Sequence, residues 1–132
     1  MSEWTAWLRE VMPFAGVLGL EVVRAEPDGV VATAPWSPDR CTAGGLLHGG
    51  ALMASADSVA ALCAQLNLPD GAGTSTIEAK TNFLGAVRDG VITVTATPLH
   101  VGRSTIVVQT DVHDDGGRQI SRSLQTQAVL GG

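Results

Sequence analysis

Leu46-Leu47-His48-Gly49-Gly50-Ala51-Leu52-Met53-Ala54-Ser55-Ala56-Asp57-Ser58-Val59-Ala60-Ala61-Leu62-Cys63-Ala64-Gln65-Leu66 is the stretch whose reading decides the fold. A histidine and two glycines open a long alanine-rich segment in which Asp57 is the one charge. The segment has the length of a helix of about five turns at 3.6 residues per turn. Its small and apolar residues fall on every side rather than on one stripe, which is the pattern of a helix buried all round. An ionised carboxylate inside such a helix is costly unless something pairs with it. The apolar neighbours argue against a surface carboxylate, so Asp57 is expected to carry chemistry.

Downstream of this helix, Pro69-Asp70-Gly71-Ala72-Gly73 is a breaker cluster, and from Thr74 the hydrophobic period changes to two. Strands are predicted over 75–84, with Ile77, Ala79, Thr81 and Phe83 on one face, and over 91–97, 104–113 and 119–130. Asp89-Gly90, Gly102 and Asp114-Asp115-Gly116-Gly117 supply the turns. Upstream, segments 17–23 and 30–34 read as a hairpin around Pro27-Asp28-Gly29. Before it, Trp4, Trp7, Leu8 and Val11 fall at i, i+3, i+4, i+7, one face of a short helix over about 3–12 that Pro13 ends. That face either packs on the body of the fold or lets its tryptophans wall a pocket. The order predicts an α+β architecture: an antiparallel sheet of five to six strands, one long central helix and a short N-terminal helix. A helix apolar all round needs more cover than a flat sheet provides, so the sheet is expected to curl around it.

The 132 residues are read as a single domain spanning 1–132, large enough for one core. Apolar residues make up 45% and charged residues 16%, the balance of a globular chain on the hydrophobic side. With a net charge of -5 and only eight Lys and Arg spread along the chain, a nucleic-acid surface is not expected. The start, Met1-Ser2-Glu3-Trp4, has neither the basic nor the apolar region of a signal peptide. No uninterrupted apolar run reaches the ~18 residues of a membrane span. Cys41 and Cys63 are then two reduced thiols, and the expectation is a cytoplasmic protein without membrane attachment.

The motif residues resemble those of hotdog-fold thioesterases, in the subgroup related to the phenylacetate-pathway enzymes. The resemblance rests on His48-Gly49-Gly50, on Asp57 nine residues after the histidine, on Asn82-Phe83-Leu84 ending the next strand, and on Gly102-Arg103-Ser104. It covers nearly everything from Phe14 to Leu130. It implies hydrolysis of acyl-coenzyme A thioesters to free acid and coenzyme A, with the acid matching Asp57 as general base or nucleophile. It also implies that the backbone N–H matching Gly49 polarises the carbonyl, that His48 helps order the site, and that a hydroxyl at Thr76 or Ser75 holds the attacking water. Members of the family often carry Asn or Gln six residues before the histidine, where this chain has Thr42, with a shorter reach and one donor.

The residues support that chemistry independently. Thioester hydrolysis needs an activated water or nucleophile and a donor where the oxyanion forms. A helix start offers free N–H groups and the positive end of the dipole, and glycine at 49 and 50 lets a substrate approach the backbone. His48 reads equally as a site residue and as a loop histidine bonded to backbone. Thr76 and Ser75 read equally as strand-end hydroxyls. Arg103 and Ser104, after a turn glycine, suit a coenzyme A phosphate or a solvated turn; Asn82, Lys80 and Arg88 are weaker candidates of the same kind. His100 and His113 lack partners at metal-ligand spacing, so no metal is expected, nor any cofactor beyond the coenzyme A of the substrate. Gly49 and Asp57 lie about 12 Å apart along one helix at ~1.5 Å per residue, too far to share one carbonyl. A homodimer with antiparallel helices across a two-fold axis brings them together in two equal sites, and the resemblance adds that such dimers often pair into tetramers. Two other readings fit the same fold: a hydratase or dehydratase of acyl thioesters, whose motif is not found, and a non-catalytic acyl-thioester binding module, which has no use for a buried carboxylate.

Overall fold

The apolar run after His48 folds as one helix, and the rest of the chain wraps it. The computed structural model describes residues 1–132. Its elements are α1 (Glu3–Val11), α2 (Pro13–Val17), β1 (Glu21–Glu26), β2 (Gly29–Pro35), α3 (Gly49–Gln65), β3 (Gly73–Phe83), β4 (Val91–Val101), β5 (Thr105–His113) and β6 (Gln119–Leu130). Two short 3-10 turns, Pro38–Arg40 and Ala43–Gly45, lead into α3. All six strands join one antiparallel sheet in the order β1-β2-β4-β5-β6-β3. The sheet curls around α3, which is the hotdog arrangement.

α3 starts where His48 caps it and ends where Asn67 Nδ2 donates to the carbonyls of Cys63 at 2.9 Å and Pro27 at 2.8 Å. That second bond ties the helix end to the β1–β2 turn. Val59, Ala60, Cys63 and Ala64 are fully buried among Val30, Ala32, Val94, Ala96, Ile106 and Val108. Fully burying one Val or Leu side chain stabilises by roughly 1.5–3 kcal/mol, so this contact anchors the fold.

The helix is not buried all round. Gly50, Met53 and Gln65 are exposed, and Asp57 and Ala61 are half-buried. Their spacing of three and four residues makes them one stripe. β3, at the edge of the sheet, is open along almost its whole length, with Ile77 63% and Phe83 50% exposed.

Three local expectations are revised. Segment 17–23 is not one strand: Pro13 does not only end α1 but starts α2 at its first position, where a missing N–H is harmless, and the helical turn runs to Val17 before β1 begins at Glu21. Ile77 does not continue the simple alternation of Ala79 and Thr81. A bulge between Thr76 and Glu78 makes it the extra residue, so Thr76, Ala79 and Thr81 all turn toward α3. β4 continues to Val101 rather than stopping near 97, through a second register shift between Pro98 and His100.

α1 is held against β1 by polar stitches. Ser2 Oγ caps the helix by accepting from Thr5 N at 3.1 Å, and Thr5 Oγ1 accepts from Val22 N at 2.8 Å. Arg9 donates Nε and Nη2 to the Leu20 carbonyl at 3.1 and 3.0 Å. Leu8 then drops fully into the core while Trp7 stays half-buried at the side of α3.

Candidate active site

Asp57 sits on the open stripe of α3, facing β3 and β6. Its Oδ1 accepts two hydrogen bonds, from Thr76 Oγ1 at 2.9 Å and from Gln125 Nε2 at 2.8 Å. The bulge at Ile77 is what aims Thr76 at it. Oδ2 takes part in no hydrogen bond within the chain. A cavity of about 450 Å³ opens beside the carboxylate. One wall is apolar, from Trp7, Val11, Met12 and Ala61; the other is polar, from Gln65, Thr74, Ser75 and Gln127. Trp7 therefore does line a pocket, whereas Trp4 does not; its ring meets Trp7 edge-on at 5.7 Å. Thr76 is the hydroxyl that touches Asp57, while Ser75 lines the same cavity without bonding the carboxylate.

The start of α3 forms a second assembly. His48 Nδ1 accepts from Gly50 N at 2.7 Å, so the imidazole is the helix cap. With Nδ1 accepting, the neutral ring carries its proton on Nε2 and presents that N–H outward. A Cβ on Gly50 would stand 2.9 Å from Nδ1. The glycine is thus required by the His48 ring itself, and its N–H is already spent. Gly49 N–H remains without an acceptor in the chain, at the positive end of the dipole. The Phe83 ring lies over Gly49, 3.2 Å from where a Cβ would be.

The loop that delivers His48 is locked by a residue that sequence reading passed over. Arg40 Nε donates to the Val17 carbonyl at 2.9 Å, Nη1 donates to the Pro35 carbonyl at 3.0 Å, and the Arg40 carbonyl accepts from His48 N at 2.9 Å. Arg40 and His48 share a second cleft, about 390 Å³, with the exposed Phe14 and Val17 at its lip. Asp57 does not line it, and neither His48 nor Gly49 lines the Asp57 cavity.

The other predicted residues are dispersed. Thr42 is exposed; its N–H donates to the Leu46 carbonyl at 2.8 Å and its hydroxyl makes no hydrogen bond in the chain. Asn82 pairs in register with Arg122 on the sheet face turned away from α3, next to Lys80 and Leu124. Arg103 and Ser104 are exposed in the β4–β5 turn, at the end of the sheet where β3 begins. Gln125 and Gln127, which bear on Asp57 from β6, did not stand out in the sequence. Their signal is a row of small and amide side chains, Ser121, Ser123, Gln125 and Gln127, at alternate positions of one strand.

Cys63 lies on the far side of α3. Burial pushes its thiol up to about 11, which marks it as an inert core residue.

The Thioesterase superfamily profile matches residues 44–121. The chain is 36% identical to ComA2 of Bacillus subtilis over 115 residues, 86% of this chain and 90% of that one. It is 32% identical to the proofreading thioesterase EntH of Cronobacter turicensis over 114 residues, 86% of this chain and 83% of that one. The crystal structure of the thioesterase HI1161 of Haemophilus influenzae superposes with a TM-score of 0.85 at 30% identity, covering 89% of this chain and 82% of that one.

Proposed function

Because the chain belongs to the thioesterase superfamily, we propose that it hydrolyses acyl-coenzyme A thioesters to the free acid and coenzyme A. Thioester hydrolysis is the activity of the family, and the coenzyme A ester is the substrate class proposed for this chain. The observation that carries it is the Asp57 carboxylate, held by Thr76 and Gln125 through one oxygen, with the other oxygen free beside a half-apolar cavity. An acyl chain suits the Trp7, Val11 and Met12 wall.

In this scheme the thioester carbonyl accepts from Gly49 N–H, and negative charge developing on its oxygen is stabilised there. Asp57 acts in one of two ways. As base, it takes a proton from water while the water oxygen bonds to the carbonyl carbon; the carbon–sulfur bond then breaks, and the departing thiolate takes up the proton. As nucleophile, its own oxygen bonds to the carbonyl carbon, expels the thiolate and leaves a mixed anhydride, which water cleaves to the free acid and the regenerated carboxylate. Neither route uses a metal or a second cofactor. A single turnover in 18-O water separates them: label in the Asp57 side chain supports the anhydride.

Each site draws on two chains. Gly49 and Asp57 are about 12 Å apart along α3, and Gly49 does not line the cavity that Asp57 borders. The open stripe through Met53 and Asp57 and the bare edge strand β3 form the surface that a second copy covers in this reading, with the helices antiparallel. Thiol release from a panel of acetyl-, hexanoyl- and benzoyl-coenzyme A tests the activity. Wild-type protein should turn over at least one of them, and Asp57→Asn should lose ~10² to 10⁴ in rate, the usual contribution of a general base. Equal rates in the two proteins refute the assignment.

A further inference from the structure

Beneath Asp57 the sheet carries a row of polar side chains that take no part in the bond changes of the reaction scheme. Gln125 and Gln127 are 2% and 1% exposed, so their amides are core groups rather than surface ones. Gln125 Nε2 donates to Asp57 Oδ1 at 2.8 Å and to Gln127 Oε1 at 2.7 Å. Gln127 Nε2 in turn donates to Thr74 Oγ1 at 3.1 Å. We propose that Gln125 is a positioning residue for Asp57: aimed by Gln127 and Thr74, it fixes Oδ1 and leaves Oδ2 as the oxygen that meets the substrate or its water. The proposal rests on the hydrolase reading above.

The direction of the network is set by chemistry. An ionised carboxylate accepts only, so whatever contacts Oδ1 must donate. Turning the Gln125 amide over would bring its oxygen against two others, Asp57 Oδ1 and Gln127 Oε1. The amide instead keeps its N–H groups on both, although its Oε1 finds no partner in the chain. A buried acceptor left so is unfavourable, and the arrangement is kept because the alternative is worse. Gln127 is oriented by Gln125, whose Nε2 donates to its Oε1, while the single proton of the Thr76 hydroxyl is shared between that oxygen at 2.6 Å and Asp57 Oδ1 at 2.9 Å. Thr76 and Gln125 thus approach one carboxylate oxygen from two strands, β3 and β6, and hold the carboxylate plane. Gln125 does not border the cavity, so it acts through Asp57 and not on the substrate.

The test is steady-state kinetics on full-length protein, with whichever of acetyl-, hexanoyl- or benzoyl-coenzyme A it turns over fastest. Gln125→Met keeps the volume and removes the donors. Its kcat should fall about ten- to a hundredfold, the scale on which a misplaced group costs rate, with KM within about twofold. Gln125→Asn keeps the amide but draws it back from Asp57, and it should show the same split if the methionine variant fails to fold. In the Asp57→Asn background, adding Gln125→Met should cost no further rate, because a residue that acts only by placing the Asp57 carboxylate has no reactive carboxylate left to place. Wild-type kcat in Gln125→Met beside a disabled Asp57→Asn overturns the positioning role and leaves the hydrolase reading standing. A wild-type rate in Asp57→Asn sinks the hydrolase reading itself. A raised KM at constant kcat, or full additivity in the double variant, also contradicts the proposal.

Discussion

The two halves of the sheet under α3 differ in kind. Toward β1, β2 and β4 the inner face is dry: Val22, Val30, Ala32, Ala34, Ile92, Val94 and Ala96. Toward β6 and β3 it is polar: Ser121, Ser123, Gln125, Gln127, Thr81 and Thr76. All three buried side-chain atoms without a partner in the chain, Thr110 Oγ1, Ser121 Oγ and Gln125 Oε1, lie on β5 and β6, toward the polar side. One helix serves both halves. Its Val59 and Cys63 are fully buried, and its Asp57 bonds to the polar row. The dry half supplies stability, and the polar half holds a carboxylate at some cost in unpaired groups, as expected where local rules yield to a site.

The contrast breaks most visibly if the halves respond alike to substitution. Asp57→Asn should leave thermal unfolding nearly unchanged while turnover collapses, because the amide oxygen can still accept from Thr76 and Gln125. Ile92→Ala on the dry half, at a site 2% exposed, should do the opposite. It should cost about 2–5 kcal/mol of stability, with kcat intact in the protein that remains folded. Parallel denaturation and kinetic curves for both variants decide this. A smaller effect lies on the polar side: Thr110→Val removes a buried hydroxyl that has no partner, and should gain about 1 kcal/mol without touching turnover. A loss of stability there would mean that the hydroxyl is satisfied in solution.

How far this division is legible in the sequence depends on which pattern carries it. α3 declares itself through its length and composition, and Asp57 through being its one charge. The N-terminal glycines are legible as a helix start, but not in their separate uses: Gly49 keeps its N–H while Gly50 yields to the His48 ring, a distinction that needs the imidazole's position. Thr76 and Ser75 are indistinguishable by alternation, because the bulge at Ile77 leaves the composition of the strand unchanged. Gln125 and Gln127 are hidden for a stronger reason. A period-two reading sends the amide face of a strand to solvent, whereas β6 is hydrogen-bonded on both sides and turns that face onto α3. Leu124, 45% exposed on the other face, carries the matching inversion.

The smallest expected effect is on the thiols. With its thiol raised to about 11 and no exposure, Cys63 should resist iodoacetamide in native protein at about pH 8 and react only after unfolding. Half-buried Cys41 is the position open to modification. Native labelling of Cys63, read by mass spectrometry, would show that the dry half opens locally.

In the proposed reaction, one chain supplies Asp57 and another supplies Gly49 N–H to the same thioester. Mixed dimers test it most directly. Asp57→Asn lacks the base, and Gly49→Val blocks the helix start with a side chain that must also displace the Phe83 ring. Each variant alone should be nearly inactive. In a heterodimer both lesions fall in one of the two sites and the other is intact. Co-refolding equal amounts should therefore restore activity to about a quarter of wild type for random pairing. Heterodimers that demonstrably form yet stay inactive would contradict the shared site, as would full turnover by a monomer.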